Sequence, residues 1–181
     1  MISQAIDNVT LMLMRGNIAE ISADAIVNAA NSALAGGGGV DGAIHRAAGP
    51  TVMQECRQIG HCRTGSAVVT TAGSLHARYI IHAVGPIYGH HADAAQLLAS
   101  AYDACIDLAE KYQLESIAFP SLSTGAYGYP VVEAAPIALQ TVIEHIGQAP
   151  TTLRQIAFVL FDERTFKIYA QELERILRPT P

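Results

Sequence analysis

Short, almost continuous apolar runs alternate with longer amphipathic segments along most of this chain. Runs such as Tyr79–Val84 and Ile156–Phe161 are typical of strands that are covered on both faces of a sheet. Between such runs, apolar residues recur at helical spacing, as they do across Asp93–Tyr112. This alternation predicts a three-layer α/β sandwich around a largely parallel sheet, with ligands bound outside the carboxyl ends of the strands.

The apolar runs define the candidate strands, and the amphipathic segments define the candidate helices. Six strands are predicted, at Val9–Met14, Ala25–Asn28, Ala67–Thr71, Tyr79–Val84, Ser116–Pro120 and Gln155–Phe161. Helices are predicted at Asp93–Tyr112, in the segment after Pro130 and at Phe166–Leu177. Pro130 suits a first helical turn, whereas Pro136 removes an amide from the helical ladder and predicts a kink or a late start.

The composition is that of one ordinary globular domain spanning residues 1–181. Half of the residues are apolar and 15% are charged, which favours a large core over disorder. The formal net charge is −5 and no basic run is present, so a partner nucleic acid is not expected. A small anionic ligand remains compatible with this charge, because backbone N–H groups hold phosphates without Lys or Arg.

Patterns of a membrane span, a signal peptide, a disulfide framework and a metal site do not occur. No apolar stretch reaches roughly 18 residues, and Asp7 and Asn8 interrupt the first one. Cys56, Cys62 and Cys105 are an odd number without CxxC spacing, which indicates reduced thiols. The histidines form no HExxH-like pair. We therefore expect a cytoplasmic protein with no membrane association that uses neither a metal nor another cofactor.

The segment from Asn28 to His45 contains four consecutive glycines, at positions 36 to 39. It leaves a strand, passes through a polar turn and enters a predicted helix. Four glycines cost backbone entropy, and close approach of the backbone to a ligand is a reason for that cost. The N–H groups at a helix start then form an anion site, which we favour over a flexible surface turn.

Two common nucleotide-binding motifs do not fit this segment. The glycine spacing satisfies a dinucleotide fingerprint, but a polar turn separates the glycines from the strand, and Glu55 lies in a helical stretch. No Gly-Lys-Ser/Thr follows, which excludes a P-loop. A second loop, Ser121–Pro130, again follows a strand and precedes a helix. The two loops predict a site that binds a diphosphate from both sides. The alternative is that both are ordinary turns.

Three polar residues beside the first loop each have a structural and a functional interpretation. Asp41 falls in a first helical turn, where the dipole favours a carboxylate with no function required. His45 lies four residues after Asp41 and could share the helix face of Asp41. We favour a supporting or packing role for His45 over direct participation in the chemistry. Asn31 could close an Asx turn or orient a sugar hydroxyl beside the phosphate loop.

These segments resemble the signature of MacroD-type macrodomains. The signature is Asn31, six residues, and then Gly38-Gly39-Val40-Asp41-Gly42-Ala43-Ile44-His45. Further landmarks in the expected order, at Asp24–Asn31, His82–Pro86 and Phe119–Gly128, extend the resemblance over nearly the whole chain. The resemblance implies a three-layer α/β/α sandwich with a mixed, mostly parallel six-stranded sheet, and ADP-ribose in a cleft at its crest.

The resemblance also implies an activity and a set of ligand contacts. The expected chemistry is removal of ADP-ribose from mono-ADP-ribosylated acidic side chains of proteins, and deacetylation of O-acetyl-ADP-ribose. A non-catalytic reader of ADP-ribose is the alternative. Residues of both loops are expected to contact the diphosphate and the distal ribose, mainly through backbone amides: Gly37, Gly38, Gly39, Val40, Ser123, Thr124, Gly125, Ala126 and Tyr127.

Roles near the scissile ester follow from the same resemblance. Asn31 is expected to hydrogen-bond a distal ribose hydroxyl, and Asp41 to orient or activate a water beside the ester. Tyr127 is expected to flank the same ribose and restrict its pose. No metal is needed in this scheme.

One departure from the family pattern lies at the adenine. The family has an acidic residue in a Gly-Asp-Ile step, whereas this chain has Asn17 followed by Ile18. Asn17 still accepts through its carbonyl but loses a charge-assisted bond, which is about twice as strong as a neutral one. The amide of Ile18 remains available to the base. Phe161 is expected either to pack on the adenine or to be a buried core ring.

Overall fold

The strands form one seven-stranded mixed sheet. The computed structural model describes residues 1–148 and 150–178. The strands are β1 (Ile2–Ile6), β2 (Val9–Arg15), β3 (Ala25–Ala29), β4 (Ser66–Thr71), β5 (Tyr79–Val84), β6 (Ser116–Phe119) and β7 (Gln155–Leu160), in the spatial order β1-β2-β7-β6-β3-β5-β4. The five central strands run parallel, whereas β1 and β4, at the two edges, run antiparallel to their neighbours.

Helices cover both faces of the sheet. They are α1 (Gly39–Ala48), α2 (Pro50–Ile59), α3 (Ala94–Lys111), α4 (Val131–Gln148) and α5 (Glu163–Leu177), with a short 3-10 helix at Ile18–Glu20. On one face, α3, α4 and α5 bury Leu98, Leu139 and Tyr169 against the sheet. On the other, α1 and α2 bury Ile44 and Val52. The predicted three-layer sandwich is therefore confirmed. In the described part of the chain, no helix combines the length and apolarity needed to cross a membrane.

The strand β1 corrects the expectation of six strands. Its first four residues are exposed and only Ile6 is half-buried, so it has no apolar face for a pattern search to detect. It pairs with β2 from Ile2 to Ile6 through a tight turn at Asp7 and Asn8, in which Asp7 has a φ of 50°. An edge strand held by backbone hydrogen bonds needs no buried side chains, which is why the apolar runs do not reveal it.

The helix α4 corrects the expectation of a late start at Pro136. The helix begins at Val131 and continues through Pro136 to Gln148. Proline removes the hydrogen bond to the carbonyl four residues earlier, which here belongs to Val132. Val132 is 63% exposed, so the turn that loses this bond lies at the surface of the protein, where water can satisfy backbone groups. The helix can therefore tolerate a proline at this surface position.

The strand order brings the two glycine-rich loops together. β3 and β6 are adjacent parallel strands near the middle of the sheet, and each loop leaves the carboxyl end of one of them. The first loop connects β3 to α1, and the second connects β6 to α4. Parallel strands bring their carboxyl ends to the same edge, so both loops lie at one crest of the sandwich.

Candidate functional site

Two adjoining cavities at this crest form one cleft. The first has a volume of about 280 Å³ and the second about 480 Å³, and both are bounded by Gly39, Val40, Ser121 and Gly125. The first cavity is lined by the predicted residues Asn31, Gly37, Gly38, Gly39, Val40, Asp41, Ser123, Gly125, Ala126 and Tyr127. The second is lined by Asn17, Ile18, Gly39, Val40, Thr124, Gly125 and Phe161. Every residue predicted to contact a ligand therefore lies on this one cleft.

The first loop is held in place by the side chain of Asn31. Its Oδ1 accepts from the amide of Ala35 at 3.1 Å, and its Nδ2 donates to the carbonyl of Gly36 at 2.8 Å. Leu34 buries its side chain in the core beneath the loop. These contacts argue against a flexible surface turn. Asn31 closes a local turn and also lines the cavity, so its two interpretations are compatible.

The residues at the start of α1 line the cleft, and their first amides have no partner within the helix. Gly38 is the N-cap and makes no side-chain capping bond, and the first N–H groups of a helix have no intrahelical partner. Gly42 allows this arrangement, because a Cβ there would lie 2.7 Å from the carbonyl oxygen of Gly37. The loop can therefore fold tightly against the first turn of the helix, leaving N–H groups and the positive end of the dipole for an anion.

The second loop contains a buried serine in an unusual backbone conformation. Ser123 has a φ of 64° and is 7% exposed, and its buried Oγ has no hydrogen-bond partner within residues 1–148 and 150–178. Gly85, at the end of β5, makes room for it, because a Cβ at Gly85 would overlap that Oγ. A backbone held at a positive φ around a buried hydroxyl persists only where the surrounding structure fixes it, so this part of the cleft wall is rigidly held.

Two buried tyrosines anchor the base of the second loop. The hydroxyl of Tyr102 on α3 accepts from the amide of Leu122 at 3.0 Å. The hydroxyl of Tyr169 on α5 donates to Oγ of Ser121 at 2.9 Å. Burial raises the pKa of both phenols, so both remain neutral. The loop is therefore fixed to the helical layer that covers the opposite face of the sheet from α1.

Asp41 lines the first cavity together with residues of both loops and is 6% exposed. Its Oδ1 accepts from Nδ2 of Asn28 at 2.7 Å and lies 3.2 Å from Nε2 of His45. Its Oδ2 lies beside Gly37, where a Cβ would be 3.3 Å away. His45 lines neither cavity, and its contact with Asp41 supports the predicted supporting role. The burial of the Tyr127 ring and the nearby Asp41 raise the pKa of the Tyr127 phenol.

A cluster of His45, Cys56 and His82 has potential ligand atoms within 4.8 Å of one another, but its chemistry does not favour a metal. Both ring nitrogens of His82 already have partners, Asn28 and Thr70. Burial, reinforced by the negative charges of nearby carboxylates, raises the pKa of the Cys56 thiol to about 11. A protonated thiol is a poor metal ligand. The cluster is better described as part of the packing behind Asp41.

The far end of the cleft contains the residues predicted to meet the adenine. Asn17 caps the 3-10 helix by accepting from the amide of Ala19 at 3.1 Å, and its Nδ2 donates to Oε1 of Glu20 at 2.9 Å. Phe161 is 78% exposed and lines the cavity, so the interpretation as a buried core ring is wrong. Its ring is available for a planar ligand, and the predicted contact with adenine stays a prediction.

Comparison with known proteins identifies the family to which the chain belongs. A family model described as Macro domain matches residues 27–138, more than half of the chain. The chain belongs to the macro domain family. It is 50% identical over 169 residues to an O-acetyl-ADP-ribose deacetylase of Salmonella gallinarum, a match that covers 90% of this chain and 93% of the relative.

Solved macrodomains have the same fold. The Oceanobacillus iheyensis macrodomain with ADP matches with a TM-score of 0.94 and 41% identity, over 97% of this chain and 96% of that one. The Trypanosoma brucei macrodomain in complex with ADP-ribose matches with a TM-score of 0.85 and 40% identity, over 90% of this chain and 68% of that one. These similarities confirm the macrodomain resemblance that the glycine loops indicate.

Several residues of this macrodomain's cleft have no role predicted from the sequence. Gly85 lines the first cavity, and Arg46 is the one basic residue among the described residues that line either cavity. Asn28 and His82 support Asp41 from behind, although neither lines the cleft. The sequence could have singled out Asn28 and His82, since each is a polar residue inside a largely apolar strand and such buried polar residues need hydrogen-bond partners.

Proposed function

We propose that this macrodomain binds ADP-ribose in the crest cleft and hydrolyses ADP-ribosyl esters without a metal ion. One observation carries the proposal: two glycine-rich loops from adjacent parallel strands face the same cleft, and a buried carboxylate, Asp41, lies where they meet. The relative from Salmonella gallinarum named O-acetyl-ADP-ribose deacetylase supports the activity. The solved macrodomains with ADP and with ADP-ribose support the ligand.

Backbone groups supply the grip on the diphosphate. The uncapped first turn of α1 offers N–H groups and the positive end of its dipole, and the second loop faces it across the cleft. Arg46 adds a cation on the wall of the second cavity. This division of labour explains how a chain with a net charge of −5 can bind a dianionic nucleotide.

Asp41 supplies the chemistry at the distal ribose. We assign its Oδ2, which has no hydrogen-bond partner among the described residues, to orient and deprotonate a water. The oxygen of that water adds to the ester, the bond to the ribose oxygen breaks, and the proton is returned to that oxygen. The products are a carboxylic acid and ADP-ribose. Asn31 and Tyr127 hold the ribose in the pose that brings its ester to this water.

Binding and turnover are tested separately. Titration calorimetry with ADP-ribose measures binding. Release of ADP-ribose from O-acetyl-ADP-ribose and from a glutamate-modified protein, with and without a metal chelator, measures turnover. We expect saturable binding and turnover of at least one ester. Absence of binding contradicts the assignment of the cleft, and turnover that disappears with the chelator contradicts the metal-free scheme.

A reader that binds ADP-ribose without hydrolysing it is the second candidate. The observation that favours it is that glycines of both loops line the cavity, so their backbone groups could bind the diphosphate without Asp41. Saturable binding of ADP-ribose in calorimetry, together with no turnover of either ester, would identify the protein as a reader. The buried position of Asp41 on the cleft wall favours the enzyme, because a carboxylate held there by Asn28 and His45 does not help to bind an anionic ligand and so needs another reason.

A further inference from the structure

A chain of buried polar groups runs behind Asp41, away from the cleft. Nδ2 of Asn28 lies 2.7 Å from Oδ1 of Asp41 and 3.1 Å from Nδ1 of His82. Nε2 of His82 lies 2.8 Å from Oγ1 of Thr70. Asn28 and His82 are adjacent residues on the paired strands β3 and β5, and both are fully buried. The chain therefore connects the rigid centre of the sheet to the carboxylate in the cleft.

The direction of each hydrogen in this chain follows from its two ends. An ionised Asp41 only accepts, so Asn28 must turn its NH2 group towards Oδ1, and it shares its second hydrogen with Nδ1 of His82. Nδ1 therefore carries no hydrogen, and Nε2–H donates to Oγ1 of Thr70. The Thr70 hydroxyl donates onward to the carbonyl of Thr71 at 2.9 Å. A reversed Asn28 amide would place its oxygen against the carboxylate.

This chain determines which oxygen of Asp41 faces the ligand. Oδ1 is held at the back by Asn28 and His45, and Oδ2 is left beside Gly37 on the cleft wall. We propose that His82 is a positioning residue for ester hydrolysis: by accepting from Asn28, it directs the other amide hydrogen to Oδ1 and keeps Oδ2 aimed into the cleft. The inference rests on the proposed function. His82 itself lines neither cavity.

The surroundings keep His82 in the form that this role needs. Burial, with a further contribution from His45, lowers the pKa of His82 to about 3 from an ordinary 6.5. The ring is therefore neutral near neutral pH, and its other near neighbour, the Cys56 thiol at 3.8 Å from Nε2, is uncharged as well. A hydrogen on Nδ1 would face the hydrogens of Asn28 and break the contact with Asp41.

Two substitutions separate positioning from packing. In His82→Asn, the side-chain oxygen can replace Nδ1 as the acceptor for Asn28. In His82→Gln, the longer side chain reaches towards Thr70 and removes the acceptor beside Asn28. Both changes keep a polar group and reduce the ring volume, so thermal denaturation should show similar losses of stability. The two variants differ mainly in whether Asn28 keeps its second partner.

The kinetic test compares kcat with KM for ester hydrolysis in both variants. We expect His82→Gln to lower kcat by roughly tenfold to a hundredfold, because small displacements of a reacting group cost this much. KM and the Kd for ADP-ribose should remain within about threefold, since the loops are unchanged. His82→Asn should keep kcat within about threefold of the wild type. Equal kcat values in the two variants, whether both low or both normal, would overturn the proposal.

Nuclear magnetic resonance of the histidine ring nitrogens provides a readout that does not depend on activity. The His82 ring should show an unprotonated Nδ1 and a protonated Nε2 near neutral pH. The opposite tautomer would overturn the proposal whatever the ester assay gives. If the wild type hydrolyses no ester, the proposed function fails on its own. Crystal structures then decide the positioning, since the Asn28–Asp41 contact should persist in His82→Asn and be lost in His82→Gln.

Discussion

At the scale of single residues, the position of Asp41 depends on its partners more than on its place in a helix. A first-turn carboxylate needs no function, since the helix dipole alone favours it. Here, however, the side chain is 6% exposed, faces the cleft, and has polar partners on a strand and on its own helix. These contacts give one oxygen a fixed direction, which an ordinary exposed first-turn aspartate lacks.

Replacing Asp41 should separate binding from hydrolysis. We expect Asp41→Ala to lose most turnover, while the Kd for ADP-ribose stays within about threefold, because the backbone amides that bind the diphosphate remain. Asp41→Asn keeps the shape but cannot deprotonate water, so it should behave like the alanine variant. Single-turnover kinetics and calorimetry measure the two effects. Unchanged hydrolysis in either variant would remove Asp41 from the mechanism.

Asn17 should influence the affinity for the adenine end of the ligand. An aspartate at this position would supply a charged acceptor, but Glu20 lies 2.9 Å from Nδ2 of Asn17 and would repel a second carboxylate. We therefore expect Asn17→Asp alone to gain little, and Asn17→Asp with Glu20→Gln to tighten ADP-ribose about fivefold, or about 1 kcal/mol. Calorimetry with ribose 5-phosphate, which lacks the base, is the control and should show no gain.

At the scale of elements, the two loops that follow β3 and β6 are fixed by close packing with their neighbours. The first is closed by Asn31 and pressed against α1 at Gly42. The second is tied by Tyr102 and Tyr169 to helices of the other layer, and Ser123 fits against Gly85 at the end of β5. The cleft is therefore built before a ligand arrives, which lowers the entropy cost of binding.

Adding a methyl group at Gly85 should displace the second loop. We expect Gly85→Ala to weaken ADP-ribose binding by roughly tenfold, because the new Cβ overlaps the buried Oγ of Ser123, and displacing this side chain disturbs the loop that lines the cleft. Gly147→Ala is the matched control, since Gly147 lies in α4 with open space around its Cβ position. The control should bind normally and gain up to about 1 kcal/mol of stability. Equal affinities in the two variants would contradict the packing argument.

At the scale of the whole molecule, the sheet determines both the core and the site. The five parallel strands are buried between two helical layers, and their carboxyl ends form the crest on which the cleft lies. Asn28 and His82 are polar exceptions inside this sheet, on the face covered by α1 and α2. Because His82 is buried in its neutral form, the stability of the whole fold depends on pH.

The free energy of unfolding should fall as the pH falls, through the titration of His82. Its folded pKa of about 3 lies below the ordinary 6.5, so between these values the unfolded chain binds a proton that the folded chain does not. The contribution of His82 to stability is therefore fully present above pH 6.5, and about 2 kcal/mol of it should be lost between pH 7 and pH 5. Urea denaturation of the wild type and of His82→Asn measures this loss, and the difference between their pH dependences isolates His82. Identical dependences would contradict the assignment.

Most of the fold is predictable from local pattern, and the exceptions share a cause. The central strands and the helices α3 and α5 follow the apolar periodicity, since each must bury one or both faces. β1 was not predicted, because it pairs through backbone groups and leaves most of its side chains exposed. The late helix start predicted at Pro136 was wrong, because the cost of the lost hydrogen bond depends on the exposure of the turn around Val132. That exposure is a property of the tertiary structure.

Residue type and spacing were enough to predict the central strands, the helices α3 and α5 and the two glycine-rich loops at strand ends, and the resemblance of these segments to macrodomains predicted the fold. Three features required the folded chain: Asn28 joins Asp41 to His82, Ser123 nests against Gly85, and Phe161 is exposed at the cleft. Hydrogen bonds between segments far apart in the chain have no periodicity. They form where packing brings the segments together, and the direction of each hydrogen depends on the partners present there.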